Sequence, residues 1–447
     1  MPLDRESLTL LDEALATLER GFERLPAAAS TFDRERARAA LIAAAERLQD
    51  NYPYQHPLYV GQMLKPPHPV ARLAYALAMW INPNNHALDG GRASSEMEKE
   101  AVADIARMFG WETQLGHLCG GGTIANFEAL WVARELRPGR TTVASSQAHY
   151  THRRLSAVLG TPFREIPIDA RGRIDVAALE SALASGAIGT VVATLGTTAA
   201  GAVDPLPAIL ALRERFEFRI HVDAAYGGYF RLASNLSPAA RAAFDAIGEA
   251  DSIVIDPHKH GLQPYGCGCV LYRDPTVGRF YRHDSPYTYF TSDQLHLGEI
   301  SLECSRPGAA AVALWTTLRM MPLERGAAFA RGLEAGRDAA LTLHRALSRD
   351  VRVTPLFEPE LDIVTWVVRA PTASEASTAA RRVFEAAAAR DLHLAVATFP
   401  RVMVEPSGAV AAWDQESVLC LRACVMKPEH REWMEEILAR LTRATGD

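Results

Sequence analysis

The residue with the clearest chemical potential is Lys259, in the segment DPHKHG at 256–261. It follows the apolar run SIVID, which is typical of a short buried β-strand. A primary amine at the end of such a strand can bond covalently to a carbonyl compound. An isolated lysine beside histidines can equally be exposed and idle, so the neighbouring motifs decide between these interpretations.

A second apolar strand, in FRIHVDAAYGG at 218–228, ends in Asp223. A carboxylate at the end of a buried strand is unfavourable unless a cation meets it, and a protonated pyridine nitrogen would be such a cation. This pairing keeps the ring of pyridoxal 5′-phosphate (PLP) able to accept electrons from a breaking bond. The alternative is an aspartate that caps a turn, which is common where strands end.

A glycine-rich turn in GHLCGGGTIAN, at 116–126, precedes a helical pattern. Backbone N–H groups of such a turn and of the first helical turn can bind a phosphate, although this one matches neither a Walker loop nor the dinucleotide fingerprint. After the strand TTVASS, His149 stands where an imidazole could stack on a flat ring. A structural histidine is the alternative, and a metal pair with His152 lacks a third ligand at suitable spacing.

The remaining candidate residues are Thr198, Arg422 and Arg306. Thr198 lies in ATLGTTAAGAVDP, after an apolar strand, where its hydroxyl could contact a cofactor or cap the turn. Arg422 stands within the apolar strand VLCLRACVM, where a buried guanidinium requires an anion. A substrate carboxylate and an internal Asp or Glu are both open as its partner, and Arg306 has the same two interpretations.

Composition narrows the classes of partner. The net charge of −6 over 447 residues, without blocks of like charge, disfavours nucleic acid and anionic membranes. A charged N-terminus and the absence of a long apolar stretch predict a cytoplasmic protein with neither signal peptide nor membrane span. Six scattered cysteines fit reduced thiols, and none of their spacings predicts a metal site.

Periodicity predicts the elements that would position these residues. Helical spacing runs through 7–49 and, after a Pro- and aromatic-rich irregular segment, through 70–82 and 93–109. From 110 to 273 short β-branched runs alternate with helical stretches, which predicts an α/β fold with a mostly parallel sheet flanked by helices. We expect a helical N-terminal segment (1–85), a large domain (86–323) and a small C-terminal α/β domain (324–447).

These motifs together resemble the group II PLP-dependent amino-acid decarboxylases, of the fold type I, aspartate-aminotransferase-like superfamily. The resemblance covers most of the chain. It is carried, in order, by NPNNHALDGGRASSEMEKEAV (82–102), GGTIAN (121–126), AHY around His149, HVDAAYGG and DPHKHG. Five motifs in the same order are far more specific than any one of them.

The resemblance implies a role for each matching residue. Lys259 would hold PLP as a Schiff base, and Asp223 would pair with the pyridinium nitrogen. His149 and Ala225 would pack on opposite faces of the ring. The phosphate and the polar edge of the ring would be contacted by Gly122, Thr123, Ile124, Asp256, His258 and Thr198.

The chain departs from the family pattern at two places. Asp256 stands where some relatives carry Asn or Ser, and an ionised side chain there would repel phosphate unless water, a proton or His258 mediates. Several members have a long loop whose tyrosine protonates the substrate carbon, whereas this chain has the compact SPYTYF, which is similar to the archaeal tyrosine/aspartate decarboxylases. Tyr287 and Tyr289 are therefore the candidate proton donors.

The resemblance implies a PLP-dependent carboxy-lyase that converts an L-amino acid into the corresponding amine and CO₂. Oxidative deamination coupled to decarboxylation, aminotransfer and C–C lysis would use the same residues and stay open, as does a non-catalytic PLP-binding homologue. Members of this superfamily build their sites between two subunits, so we expect a homodimer with a shared active site. Arg422, His56 and Tyr59 are candidate substrate contacts, with interface packing as the alternative for the last two.

Overall fold

The computed structural model describes residues 6–26, 32–282 and 296–446. Its helices are α1 (Ser7–Arg20), α2 (Arg34–Leu48), α3 (Pro69–Met79), α4 (Leu88–Met108), α5 (Gly122–Leu136), α6 (Thr151–Val158), α7 (Val176–Leu183), α8 (Leu206–Ala211), α9 (Pro238–Asp245), α10 (Gly308–Met320), α11 (Ala328–Leu347), α12 (Ala373–Ala388), α13 (Arg401–Val404) and α14 (His430–Gly446). Within these ranges, no helix combines the length and the apolar character needed to cross a membrane.

The strands belong to a large sheet, a small sheet and a two-stranded ribbon. They are β1 (Leu115–Cys119), β2 (Thr141–Ser145), β3 (Phe163–Ile166), β4 (Ile188–Thr194), β5 (Arg219–Asp223), β6 (Ser252–Ile255), β7 (Gly268–Tyr272), β8 (Val353–Pro355), β9 (Ile363–Val368), β10 (Ala370–Thr372), β11 (Ala395–Pro400), β12 (Val410–Ala412) and β13 (Ser417–Cys424).

The large sheet has the order β1-β7-β6-β5-β4-β2-β3. Strands β3, β2, β4, β5 and β6 pair in parallel, whereas β7 is antiparallel to both of its neighbours. Every residue of β4, β6 and β7 is buried, as expected for apolar strands covered by helices on both faces. The predicted α/β fold with a mostly parallel sheet is confirmed.

Two strands of this sheet were absent from the sequence prediction. Strand β1 contains Gly116, which interrupts the apolar pattern, but a β-carbon there would lie 2.5 Å from Leu271 Cδ2. Close pairing of β1 with β7 therefore requires glycine. Strand β3 is an edge strand whose Arg164 and Glu165 are exposed, so it lacks the apolar run that marks the central strands.

The predicted N-terminal helix is two helices, with Gly21 and Pro26 between α1 and α2. The irregular segment that precedes α3 is held by the small sheet, because Val60 N–H donates to His393 O at 3.0 Å and Val60 O accepts from Cys424 N–H at 2.7 Å. This segment is therefore ordered by backbone pairing, although it forms neither helix nor strand.

The C-terminal part forms the small antiparallel sheet, of order β11-β13-β9-β8. Its apolar cluster includes Trp366 from β9, Leu343 from α11, Val383 from α12 and Ile437 from α14. Strand β11 was absent from the sequence prediction because it is a partly exposed edge strand that ends at Pro400. The domain boundaries at residues 85 and 323 stay a prediction.

A buried ion pair joins α4 to the segment that precedes α10. Arg306 donates to Glu98 Oε1 at 2.8 Å, and both side chains are buried. Glu98 also accepts from the backbone N–H of Leu118 at 2.9 Å and from Asn85 Nδ2 at 2.6 Å. Of the two partners left open for Arg306, the internal carboxylate is the one present, and it ties α4, β1 and the turn before α4 together.

We predict that Glu98→Ala lowers the free energy of unfolding by about 3–5 kcal/mol, because it leaves Arg306 as an unpaired buried cation. Urea unfolding followed by circular dichroism measures this difference. The matched control is Glu96→Ala on the same helix, whose exposed partner is Lys99; its loss should cost less than about 0.5 kcal/mol. Equal effects of the two substitutions would contradict the assigned role of the pair.

Candidate active site

A cavity of about 280 Å³ opens where β4, β5 and β6 end and α5 begins. Ligands of open α/β sheets bind at this edge, outside the carboxyl ends of the parallel strands. All ten predicted cofactor contacts line the cavity, namely Gly122, Thr123, Ile124, His149, Thr198, Asp223, Ala225, Asp256, His258 and Lys259. The fold therefore gathers residues from five separate segments of the chain around one small space.

Lys259 reaches this cavity from the turn after β6. Its backbone N–H donates to Asp256 O at 2.9 Å, and its Nζ lies 2.9 Å from Asp256 Oδ2. The nearest imidazole to that carboxylate is His258, whose Nε2 lies 3.5 Å from Oδ2. Asp256 Oδ1 and His258 Nδ1 are buried and have no hydrogen-bond partner among the residues that the structure describes. These two atoms point to a polar group that the polypeptide does not supply.

Asp223 is buried at the end of β5 and is held by three donors. His152 Nε2 lies 2.8 Å from Oδ2, the N–H of Ala225 donates to Oδ1 at 3.1 Å, and Asn126 Nδ2 donates to Oδ2 at 3.4 Å. Burial by itself would raise the pKa of Asp223, but the hydrogen bond and charge of His152, together with Lys259, bring the pKa below its usual value. The carboxylate is therefore ionised at neutral pH.

Asn126 is oriented by a second layer of side chains. Its Oδ1 lies 2.8 Å from His221 Nε2, and His221 Nδ1 lies 2.9 Å from the Ser252 hydroxyl. Burial lowers the pKa of His221 to about 3, so its ring is neutral. A neutral ring that donates from Nε2 to the Asn126 oxygen directs the Asn126 amide N–H towards Asp223.

The glycine-rich turn places the start of α5 at the cavity. Gly121 adopts φ +142° as the N-cap of α5, and no side chain caps that helix end. A β-carbon at Gly122 would lie 2.8 Å from Asp256 Oδ2. Glycine thus lets the loop approach Asp256 closely, and the first amide groups of α5 remain available to an anion.

His149 and His152 have different surroundings at the start of α6. His149 lines the cavity, stacks on Tyr150 with ring centroids 4.4 Å apart, and accepts from the Thr151 N–H at 3.2 Å. Burial lowers the pKa of His149, so its imidazole is neutral at pH 7. His152 instead contacts Asp223. The only sign of this contact in the sequence is that His152 follows His149 by three residues. The described residues contain no cluster of three or more His, Cys, Asp or Glu suited to a metal ion.

The predicted substrate contacts lie outside this cavity or outside the described residues. Arg422 borders it, donating to Thr198 O at 2.8 Å and to Ala199 O at 3.0 Å, and pairs with no carboxylate of the described chain. His56 packs on Trp433, with ring centroids 4.8 Å apart. Tyr59 is buried beside Tyr54. The candidate proton donors, Tyr287 and Tyr289, fall in 283–295, outside the residues that the structure describes.

Comparison with known proteins agrees with this geometry. Residues 55–367 match the model of the pyridoxal-dependent decarboxylase conserved domain. An L-tyrosine decarboxylase of Enterococcus faecium is 30% identical, over 70% of this chain and 68% of that protein. A probable L-aspartate decarboxylase of Halobacterium salinarum is 31% identical, over 60% of this chain and 72% of that protein.

The fold also matches a solved structure over nearly its whole length. The crystal structure of Oryza sativa TDC with PLP and tryptamine superposes with a TM-score of 0.76 and covers 99% of each chain. The two sequences are 19% identical, so this likeness concerns the fold alone.

We predict that His152→Phe destabilises the cofactor-free protein by about 3 kcal/mol at pH 7, because it leaves Asp223 buried without its main donor. In the wild type, the lowered pKa of Asp223 stabilises the folded protein at pH values above about 3.9, the pKa of an aspartate in the unfolded chain. This stabilisation is lost as the pH falls through the pKa of Asp223 in the folded protein. In the variant, burial raises the pKa, so the penalty fades as Asp223 takes up a proton.

Urea unfolding at pH 7 and pH 5 measures this pH dependence. The gap in free energy between His152→Phe and the wild type should be smaller at pH 5. Leu343→Ala, which opens a cavity beside α11 without removing a titratable group, should destabilise the protein equally at both pH values. A gap that is constant with pH would show that His152 does not control the ionisation of Asp223.

Proposed function

Because this chain belongs to the pyridoxal-dependent decarboxylase family, we propose that it removes CO₂ from the α-carbon of a small L-amino acid, with PLP carried on Lys259. The observation that supports this most is that Lys259, the ionised Asp223 and the uncapped start of α5 all line one cavity. A cytoplasmic location stays a prediction from the sequence.

The residues present fit PLP at three separate points. The amide groups at the start of α5, beside Gly121 and Gly122, suit a phosphate ester. Asp223 suits a protonated ring nitrogen, since it is buried and ionised. The unpartnered buried atoms Asp256 Oδ1 and His258 Nδ1 mark a polar occupant beside Lys259. Repulsion between Asp256 and a phosphate would be reduced by Lys259, whose Nζ lies 2.9 Å from Asp256 Oδ2.

PLP, when bound, supplies a conjugated ring that takes up the electron pair of the breaking Cα–carboxylate bond. Asp223 would hold a proton on the ring nitrogen of the bound cofactor. Its three donors fix the carboxylate in place, so little reorganisation accompanies the change in charge on the ring.

Two side chains would fix the plane of the ring. His149 and Ala225 both line the cavity, and the neutral imidazole of His149 could stack on a ring without placing a second charge beside it. Ala225 is small and leaves room for a flat group. Holding the ring plane matters because it decides which substrate bond stands perpendicular to the ring and therefore breaks.

Arg422 is the proposed contact for a substrate carboxylate. It is buried, and its guanidinium donates to the carbonyls of Thr198 and Ala199 at the cavity edge. Its Nη1 also makes longer contacts with Gly61 O at 3.3 Å and Gln62 Oε1 at 3.4 Å. Carbonyls orient a cation without neutralising it, so a carboxylate from the substrate would complete its surroundings. Asp256, 2.9 Å from Lys259 Nζ, would hold the lysine ammonium whenever the amine is free.

A homodimer is part of the proposal, and the N-terminal helices support it. Helix α2 has no buried residue, although it carries Leu41, Ile42 and Leu48, all exposed. Apolar side chains grouped on one helix in this way are typical of a surface that another chain covers. His56 and Tyr59 stay candidate substrate contacts for a site shared between subunits.

Sister reactions remain the alternative function. Oxidative deamination, aminotransfer and C–C lysis would use the same cavity and differ in the proton donor and in the bond that is oriented. Assaying CO₂, amine, aldehyde and ammonia from one incubation across the proteinogenic amino acids separates them. Amine and CO₂ in equal amounts would support decarboxylation, and aldehyde with ammonia would contradict it.

We predict that Lys259→Ala lowers turnover by more than about 10³-fold and abolishes covalent PLP, because no other side-chain amine lines the cavity within the described chain. Borohydride reduction followed by peptide mass spectrometry should place PLP on the Lys259 peptide of the wild type. The chain has four lysines, so the labelled peptides are easily resolved. Lys99→Ala is the control and should keep both covalent PLP and turnover. Detection of PLP mainly on a peptide without Lys259 would contradict the assignment.

We predict that the wild type sediments as a dimer and that the double variant Leu41→Asp/Leu48→Asp shifts it towards monomer, because two charges would be buried at the interface. Sedimentation velocity over a range of concentrations measures the shift. Ala39→Asp, on the opposite face of α2, is the matched control and should leave the dimer intact. A wild-type monomer with full turnover would refute the shared site.

A further inference from the structure

A second cavity, of about 710 Å³, lies between the irregular N-terminal segment and the starts of α11 and α14. Its floor is apolar, formed by side chains that include Pro66, Leu262 and Phe329. Its volume is within the range of small-molecule sites. The cavity borders the candidate active site, since His260, the residue after Lys259, lines it while Lys259 itself does not.

Two lysines of this cavity, Lys65 and Lys427, have no carboxylate at ion-pair distance among the described residues. Lys427 is only 3% exposed, and its Nζ donates to Tyr59 O at 2.6 Å. Lys65 Nζ makes a long contact of 3.5 Å with Met426 O. Neither ammonium forms an ion pair with any carboxylate in the described parts of the chain. A carbonyl accepts one N–H of an ammonium, so each group keeps donors and positive charge for another partner.

The electrostatic cost of this arrangement appears in the pKa values. Burial, together with the charge of Lys65, lowers the pKa of Lys427 to about 7, and burial lowers the pKa of Lys65 to about 8. The charge of Asp362, followed by that of Glu429, opposes the lowering of the Lys65 pKa, and Glu429 opposes that of Lys427, but neither carboxylate lies at ion-pair distance from these lysines. Buried cations in so unfavourable a place are expected where an anion joins them.

Helix ends add to the positive character of the cavity. Helix α11 begins at Ala328, which lines the cavity, and no side chain caps its amide groups. Helix α14 begins at His430, and Glu429 and Arg431 beside it also line the wall. The free N–H groups and the dipole at the start of a long helix favour an anion.

The acidic residues of the wall do not neutralise the lysines. Glu334 accepts from the Ser234 hydroxyl at 2.6 Å, and Asp338 accepts from Asn235 Nδ2 at 2.8 Å, so these two are already engaged. Glu432 is exposed at the outer rim. None of these carboxylates forms an ion pair with Lys65 or Lys427, so the described wall leaves both ammonium groups without a directly bonded anion.

We propose that this cavity binds a small organic dianion, with its charges between Lys65, Lys427 and the start of α11, and its body on the apolar floor. No described residue lines both this cavity and the PLP cavity. Asp362 joins the two, because it accepts from Tyr226 Oη at 2.6 Å and lies 3.2 Å from His260 Nε2, and Tyr226 lines the PLP cavity.

Isothermal titration of the PLP-loaded enzyme with succinate, with inorganic phosphate and with chloride tests the proposal. PLP fills the first phosphate site, so phosphate binding would report on the second. We expect one or both dianions to bind and chloride to bind much more weakly. Lys65→Met and Lys427→Met should each weaken the dianion at least about tenfold, as expected for the loss of one charge-assisted hydrogen bond, whereas Lys99→Met should bind as the wild type does.

Lysine acetylation of the wild-type enzyme gives a readout that needs no variant. The bound dianion should slow acetylation of Lys65 and Lys427, read by peptide mass spectrometry, and leave Lys99 unchanged. Absence of dianion binding to the wild type, unchanged affinity in both methionine variants, or binding without protection of either lysine would each overturn the proposal. None of these outcomes depends on whether the enzyme decarboxylates its substrate.

Discussion

The ionised carboxylate of Asp223, buried at the end of the central strand, is the interaction around which the candidate active site is arranged. Burial alone would favour its protonated form, and a protonated group could not balance a cationic ring. Three donors contact this one carboxylate and favour its ionised form: a histidine from α6, an amide from α5 and a backbone N–H from its own turn. Each donor comes from a different element, so the charge state depends on how those elements pack.

The same dependence explains why the surrounding layers are polar inside a largely apolar core. His221 and Ser252, on β5 and β6, orient Asn126, while Glu98 and Arg306 fix α4 against β1 on the far side of the glycine turn. These groups touch no part of the cavity's centre. They act by positioning the residues that line the cavity. Because they are buried, replacing any one of them destabilises the protein by leaving its hydrogen-bond partner unpaired.

Much of the site was predictable from the sequence because its motifs are contiguous. Lys259, Asp223, His149 and the glycine turn each follow an apolar run, and the carboxyl ends of parallel strands meet at one edge. The partners His152–Asp223 and Arg306–Glu98 were not predictable, since each joins residues far apart in the chain and depends on tertiary packing. The strands β1 and β3 escaped prediction because one needs a glycine for close pairing and the other lies at an edge.

The scarcity of lysine limits the number of side chains that can react with an aldehyde cofactor. Only four of its 47 basic Lys and Arg side chains are lysines, and arginine, whose guanidinium stays protonated, does not compete for an aldehyde. Lys99 is the one lysine away from both cavities, and it is paired with Glu96. Few surface lysines are therefore available to form Schiff bases with free pyridoxal phosphate. Cofactor taken up from dilute solution would thus rarely be lost by reaction outside the two cavities.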